Sequence, residues 1–197
     1  MTASTVSPAS STPSKAGLLA VICFTGVLTA SCTAHPPGSV GQGRALNGGL
    51  QSTGRIGTEH AQIGEVFWAA LPLPNNTSKE PVSIRKARFT EVPKGLKISE
   101  YRVFNTEETG GVYLLAYSGG KYGTKDPEKL TNYADKPIRV KGKQESDYYY
   151  AAKVTVTGPV HKDLGGCSFW YTQSGEEYKQ TLPCQTTIRL GKPLPDN

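Results

Sequence analysis

Helical periodicity is almost absent from residue 61 onward, and this feature constrains the fold more than any other. Short runs rich in Val, Ile, Tyr and Phe are separated there by Gly, Pro, Asn and Asp, which is the pattern of strands joined by turns. The runs predict strands at residues 65–73, 82–89, 96–104, 112–117, 138–140, 149–157, 166–173, 178–184 and 186–190. Asp126 and Pro127 predict one short helix, because Asp caps a helix and Pro suits its first turn.

These strands predict an all-β domain, namely a single immunoglobulin-like antiparallel β-sandwich over residues 61–192, with residues 193–197 as a C-terminal tail. A small closed β-barrel is the alternative. The run at residues 112–117 is apolar on both faces, as is typical of a central strand.

Two of the predicted strands change phase along their length. The alternation of apolar and polar residues breaks at Arg85 and Lys86, and again at Glu100 and Tyr101. A β-bulge inserts one residue into a strand and so restores the alternation. We therefore expect a bulge at each of the two positions.

The chain has four cysteines, and their positions suggest an exported protein. Cys23 lies in an apolar N-terminal run and Cys32 follows it, which leaves Cys167 and Cys184 as a pair in an oxidising compartment. Joining the two strands around them by a four-residue loop, residues 174–177, places these two cysteines directly opposite one another. The sequence therefore predicts a disulfide within one hairpin, worth roughly 3 kcal/mol.

The N-terminus has the features of an export signal. Lys15 is the only charge before Arg44, and residues 16–34 are uncharged, with an apolar stretch followed by small residues. A positive flank, an apolar stretch and small residues define a secretory signal peptide, here residues 1–31. The run is also long enough for an uncleaved single-pass membrane anchor. In either case the rest of the chain lies outside the cytoplasm.

The residues before Cys32 resemble a bacterial lipobox, with Leu28, Thr29, Ala30 and Ser31 in front of the thiol. Such a motif implies cleavage before Cys32 and lipid attachment to it, on the outer face of the cell membrane. Plain secretion, with an incidental Cys32, is the alternative.

Residues 32–60 have the composition of a flexible tether. The stretch holds seven Gly between Thr33 and His60, with Ser, Thr, Gln and Pro around them, and no acidic residue before Glu59. Too few apolar side chains are present to support an ordered fold on composition alone. We expect a tether between a lipid anchor and the sandwich.

Aromatic side chains are the candidate ligand-binding residues. Trp170 and Tyr171 lie on a predicted strand and Tyr148 directly precedes another, and exposed aromatic rings stack on the apolar faces of sugars. The structural alternative is that alternating Tyr residues form strands well and that half of them face the core. The candidate function is therefore glycan binding, with binding or scaffolding of another protein as the broader class.

No catalytic motif is specific enough to predict an enzyme. Ser83 and Ser118 each begin a Ser-x-x-Lys pattern, but one lies on a strand and the other in a Gly-rich loop. The three His residues have no metal-ligand spacing, and Cys184 would occupy the thiol of Cys167. We expect no catalytic residue, metal or cofactor. The net charge of +6 outside a cell favours wall polyanions or lipid head groups over nucleic acid.

Three features together resemble exported actinobacterial lipoproteins of unknown function: the lipobox, the Gly-rich tether, and a C-terminal segment that runs from Trp170-Tyr171-Thr172-Gln173-Ser174-Gly175 to Thr181-Leu182-Pro183-Cys184. The resemblance implies an envelope location and no particular activity. The resulting expectation is a membrane-anchored extracytoplasmic lipoprotein with a binding or scaffolding domain. Its partner would be a cell-wall polymer or an envelope protein, and an envelope enzyme without a recognisable motif is the second alternative.

Overall fold

The computed structural model describes residues 39–120 and 124–194. The predicted signal peptide and Cys32 lie outside these residues. The described chain forms twelve strands: β1 (Gly41–Gln42), β2 (Leu46–Asn47), β3 (Arg55–Ala61), β4 (Val66–Ala70), β5 (Asn75–Asn76), β6 (Val82–Glu91), β7 (Leu96–Asn105), β8 (Leu115–Tyr117), β9 (Ile138–Val140), β10 (Tyr148–Val156), β11 (Leu164–Gln173) and β12 (Glu176–Leu190).

The helices are short. One α-helix spans Thr106–Thr109, where the Asn105 side chain accepts hydrogen bonds from the first backbone amides. Two 3-10 helices span Gly49–Ser52 and Pro127–Lys129. Asp126 caps the second of these, as the sequence predicts. No helix within the described ranges is both long enough and apolar enough to cross a membrane.

The strands form a β-sandwich, as predicted, and the closed-barrel alternative is wrong. One sheet has six strands in the order β1-β12-β11-β6-β9, with β3 also paired to β12. The second sheet has the order β7-β10-β4-β8, and β2 pairs with β5 in a separate ribbon. Most pairings are antiparallel, but β1 and β3 each run parallel to β12.

The main core lies between the two sheets. Alternate residues of β11, including Cys167, Phe169 and Tyr171, face it from the six-stranded sheet. Tyr150, Ala152 and Val154 of β10 do so from the four-stranded sheet. This alternation is what a strand with one buried face requires, since successive side chains point to opposite faces.

A smaller core covers the outer face of the four-stranded sheet. Its buried residues are Trp68, Phe104, Ala116, Tyr149 and Ala151. Val112, Tyr113 and Leu130 pack against it from the connection between β7 and β9. This covering segment explains why residues 112–117 are apolar on both faces. Only Leu115–Tyr117 of this run forms a strand, β8, and it is an edge strand and not the predicted central one.

Residues 41–61 belong to the fold, so the predicted tether over residues 32–60 is too long. Gly41 and Gln42 pair with β12, and residues 55–61 add a second parallel strand along its other half. Ala45 and Leu46 are buried in the main core. The composition of the segment concealed this, because the segment is held largely by backbone pairing to the edge of β12 and by few apolar side chains.

The hairpin β11–β12 contains the predicted disulfide in a different register. Its turn has only two residues, Ser174 and Gly175, and both have positive φ angles (50° and 86°), as in a type I′ turn. Cys167 is consequently opposite Leu182. In the bulge that follows, Pro183 and Cys184 of β12 oppose Gly166 alone, and Cys167 lies at a Cα–Cα distance of 5.9 Å from Cys184, to which it is disulfide-bonded.

Candidate functional site

Trp170 lies on the outer face of the six-stranded sheet. Its neighbours in β11, Phe169 and Tyr171, are buried in the main core, so the indole points to the opposite side. The side chain is half-buried, although nothing from the second sheet packs on this face among the residues described. Trp170 therefore faces away from the main core and is partly accessible.

Two lysines flank the indole. Lys86 of β6 and Lys179 of β12 are the direct cross-strand partners of Trp170. Their ammonium groups lie 4.7 Å and 5.1 Å from the ring centroid, within cation–π distance. Both lysines are exposed. We call this arrangement of Lys86, Trp170 and Lys179 the Trp170 face.

The sequence reasoning missed the two lysines because it assigned the wrong register. A four-residue loop would have placed Thr181 opposite Trp170, whereas the two-residue turn places Lys179 there. The Ser174-Gly175 dipeptide was the available signal, because Gly at the second turn position favours a two-residue hairpin loop.

The border of the Trp170 face is also basic. Arg85, next to Lys86 on β6, forms an ion pair of 2.6 Å with Glu177. With the two lysines, this gives three cations and the carboxylate of Glu177 around Trp170. The local charge therefore attracts anions.

Two adjacent glycines leave a recess further along β11, opposite the bulge in β12. Gly165 and Gly166 carry no side chain, and Gly166 has a φ of +62°. A Cβ at Gly166 would lie 2.3 Å from Oγ1 of Thr90, so only glycine fits. The recess is an open groove of about 440 Å³, and Glu91 and Gln185 are among the residues that line it.

The groove adjoins a larger polar pocket at the end of the sandwich. This pocket has a volume of about 600 Å³. Its charged and polar lining is provided by Arg55, Glu91, His161, Lys162, Asp163, Gln185 and Arg189. Gly165, Glu91 and Gln185 are cross-strand partners, so the pocket lies at the far end of the three strands that carry Trp170 and its two lysines. We call it the end pocket.

Asp163 organises the end pocket. Its carboxylate lies 2.6 Å from Nη2 of Arg189 and 3.1 Å from Nη2 of Arg55, and it accepts a hydrogen bond of 3.1 Å from Oγ1 of Thr187. Burial alone would raise the pKa of Asp163, but the hydrogen bonds from Thr187, Arg189 and Arg55 lower it below its usual value. The carboxylate is therefore ionised and fixes both guanidinium groups.

The other two predicted binding aromatics do not join Trp170. Tyr171 is 1% exposed in the main core and is unavailable for stacking on a ligand. Tyr148 lies on β10 of the other sheet, where its ring contacts Tyr133 with centroids 5.1 Å apart. The structure therefore does not bring the three residues together in one site.

The residues weighed for catalysis have structural partners. Cys167 is bonded to Cys184, and Ser83 lies within β6. Oγ of Ser118 donates a hydrogen bond of 2.9 Å to Glu128. No group of three His, Cys, Asp or Glu side chains within residues 39–120 and 124–194 is arranged to hold a metal ion.

Glu128 is the centre of a polar cluster that fastens the covering segment to the four-stranded sheet. Its carboxylate lies 2.7 Å from Nζ of Lys153 and accepts a hydrogen bond of 3.3 Å from the indole nitrogen of Trp68. Arg102 adds an ion pair of 3.6 Å. Burial would raise the pKa of Glu128, but the bonds from Lys153, Ser118 and Trp68 lower it. The cluster therefore has a structural role.

Comparison of the chain with protein-family models, with curated proteins and with solved structures finds no match. The class that the fold and site define is thus a β-sandwich with one open, basic, aromatic sheet face.

Proposed function

We propose that this chain is an exported, membrane-anchored binding protein whose β-sandwich binds an anionic glycan polymer of the cell envelope. The observation that carries the proposal is the half-exposed indole of Trp170 between Lys86 and Lys179 on an open sheet face. An aromatic ring on an open sheet face suits an extended polymer better than a small molecule, which is usually enclosed in a cleft.

The two lysines favour an anionic sugar over a neutral one. A sugar ring that stacks on the indole displaces an ammonium group, at a cost of about 0.5–1 kcal/mol at an exposed site. A carboxylate or phosphate on the same sugar then pairs with the displaced ammonium and recovers that loss. A neutral sugar has no group that does so.

The N-terminal signal supports the envelope location of this function. The apolar run before Cys32 and the lipobox-like residues are the basis for proposing lipid attachment at Cys32. This attachment would hold the domain at the outer face of the membrane. A disulfide in the sandwich is in keeping with an oxidising compartment. Binding of a protein partner in place of a glycan is the broader alternative.

Co-sedimentation of the full chain in detergent with purified cell-wall sacculi tests the proposed ligand. We expect binding that weakens but persists as salt rises from about 0.01 M to about 1 M, over which the Debye length falls from about 30 to about 3 Å. Trp170→Ala should weaken binding about tenfold, which corresponds to about 1.4 kcal/mol. Lys86→Gln with Lys179→Gln should reduce it by a similar factor at low salt.

Two matched controls separate this face from nonspecific attraction. Ile63→Ala removes another exposed apolar side chain, and Lys129→Gln removes a lysine that is 84% exposed away from the face. Neither should change binding. Binding that is absent, or equal in Trp170→Ala and in the controls, rejects the glycan proposal and directs the search to a protein partner through crosslinking on intact cells.

Membrane anchoring is tested separately. The full chain expressed in a bacterium that acylates lipoproteins should partition into the detergent phase, and Cys32→Ala should not. If Cys32→Ala still partitions into the detergent phase and has the same N-terminus as the unsubstituted chain, lipid attachment is excluded and an uncleaved anchor is favoured.

A further inference from the structure

The end pocket lies on the same three strands as Trp170 and its two lysines, β6, β11 and β12, toward their other ends. Gly165, which lines the pocket, is five residues from Trp170 along β11. At about 3.3 Å per residue in a strand, the two points are about 16 Å apart. Gly166, in the groove, lies between them along β11, and the groove shares Glu91 and Gln185 with the pocket.

The guanidinium group of Arg55 is fixed by its neighbours and remains exposed. Nε donates a hydrogen bond of 2.8 Å to Thr187, and Nη2 is paired with Asp163, yet 63% of the Arg55 side chain is exposed. A cation fixed by its neighbours loses less conformational entropy when a ligand binds. Arginine also matches the geometry of carboxylate and phosphate.

The charge balance of the pocket is positive. Arg55, Lys162 and Arg189 supply three positive charges, and Glu91 and Asp163 supply two negative ones. Asp163 is neutralised by the two arginines that it contacts, so Glu91 is the one acidic group in the pocket lining that opposes an incoming anion. His161 and Lys162 are exposed at the rim.

We infer that the end pocket binds a carboxylate or phosphate group of the same polymer chain that stacks on Trp170. The ligand is accordingly a linear polyanion with repeated acidic groups, long enough to cover about 16 Å of strand. This inference rests on the proposed function for its first contact point, and it adds the length and the charge spacing of the ligand.

Titration of the full chain in detergent with galacturonate oligomers tests the inference by isothermal calorimetry. The probes are a disaccharide, a hexasaccharide and the methyl ester of the hexasaccharide, which keeps the rings and removes the charges. We expect the acidic hexasaccharide to bind at least tenfold more tightly than both other probes. A polyphosphate probe distinguishes phosphate from carboxylate as the preferred group.

Pocket variants locate the second contact. Lys162→Gln and, independently, Arg55→Gln should weaken binding of the acidic hexasaccharide about threefold to fivefold and leave binding of the disaccharide unchanged. Glu91→Gln should have the opposite effect, tightening the hexasaccharide about twofold, because it removes the opposing charge. Lys129→Gln is the control. Thermal melts show that each variant is folded, and Lys162→Gln avoids the Asp163 contacts altogether.

The outcomes separate the inference from the function on which it rests. If Trp170→Ala weakens all acidic probes equally while Lys162→Gln, Arg55→Gln and Glu91→Gln change nothing, the glycan site stands and the second subsite is rejected. If no probe binds, or if Trp170→Ala has no effect, the proposed function fails and the inference fails with it.

Discussion

The hydroxyl oxygen of Tyr171 accepts a hydrogen bond of 3.1 Å from the backbone amide of Ala45 inside the main core. The same hydroxyl lies 3.3 Å from Oε1 of Gln180, to which it donates. Gln180 accepts a hydrogen bond of 2.9 Å from the amide of Leu46 and donates one of 2.6 Å to its carbonyl. This network fastens the segment between β1 and β2 to the hairpin β11–β12.

We expect Tyr171→Phe to lower the free energy of unfolding by about 1–2 kcal/mol, because it leaves the buried amide of Ala45 without its acceptor. Urea denaturation measures the loss. The variant should also become more sensitive to proteases at residues 41–54. Tyr178→Phe is the matched control, since its ring stacks on Tyr171 at 5.6 Å and the change removes only a hydroxyl from a half-buried residue. Equal losses in the two variants would contradict this role for the Tyr171 hydroxyl.

The sequence predicts those parts of the fold that depend on local patterns. Each predicted strand contains or overlaps an observed one, and the bulge at Arg85 is confirmed, because Trp170 pairs with Lys86 and Tyr171 pairs with Ile84. The second bulge is one residue earlier than predicted, at Ser99. Alternation along one strand reveals such features because it depends only on neighbouring residues.

Features that depend on partners distant in sequence were not predictable. The parallel pairing of β3 with β12 joins residues more than one hundred positions apart, and nothing in residues 55–61 specifies it. The burial of Tyr171 likewise depends on which face of β11 meets the second sheet. The register of the hairpin could have been predicted from the turn residues. The assumed four-residue loop moved Lys179 away from Trp170, whereas the two-residue turn pairs them.

Asp163→Asn should destabilise the fold by about 2 kcal/mol at neutral pH, because hydrogen bonds to a charged group contribute about 1.5–3 kcal/mol and the exposed Arg55 contributes little of this. The folded-state pKa of Asp163 is lowered. Its contribution is therefore complete above the unfolded pKa of about 3.9 and is lost as the pH falls through the lower folded-state pKa. Chemical denaturation of the unsubstituted chain and of Asp163→Asn across this pH range measures the difference in their unfolding free energies.

Asp135→Asn provides the comparison for Asp163→Asn, because Asp135 is exposed. It should leave the unfolding free energy within about 0.5 kcal/mol of the unsubstituted chain. A gap between the chain and Asp163→Asn that stays constant, or widens, on acidification would show that the ion pairs with Arg55 and Arg189 do not stabilise the fold.

Loss of the disulfide should reduce stability by roughly 3 kcal/mol, because the bond closes a loop between residues 17 positions apart. The test compares thermal melts of the chain with and without reductant. The double variant Cys167→Ala with Cys184→Ala should melt at the same temperature as the reduced chain and should not respond to reductant. A response of the double variant would mean that Cys23 and Cys32 carry the redox effect.

Glu128→Ala should loosen the covering segment and expose Trp68, which is 1% exposed in the folded chain. The change removes the acceptor for Trp68, Ser118 and Lys153, and we expect a loss of about 2 kcal/mol. Iodide quenching of tryptophan fluorescence measures the exposure, since Trp170 is accessible already and any added quenching comes from Trp68. Glu107→Ala, an exposed residue on the same segment, should change neither stability nor quenching.

Tyr150 should make the fold sensitive to alkaline pH. Burial raises the pKa of Tyr150 to about 12, and its hydroxyl donates a hydrogen bond of 3.3 Å to the carbonyl of Ile84. A group whose folded-state pKa is raised contributes stability below its unfolded pKa of about 10, and this is lost as the pH rises toward 12. Tyr150→Phe should cost about 1 kcal/mol at pH 7 from the missing hydrogen bond.

The difference in unfolding free energy between the unsubstituted chain and Tyr150→Phe should shrink, and then change sign, as the pH rises above about 10. The change should be about 1.4 kcal/mol per pH unit up to about pH 12. Unfolding free energies at stepped pH values, with tyrosinate absorbance recorded alongside, measure this change. Tyr178→Phe serves as the control because its ring is only half-buried. A gap that is independent of pH would mean that the Tyr150 hydroxyl reaches solvent in the folded chain, contrary to its position between the two sheets.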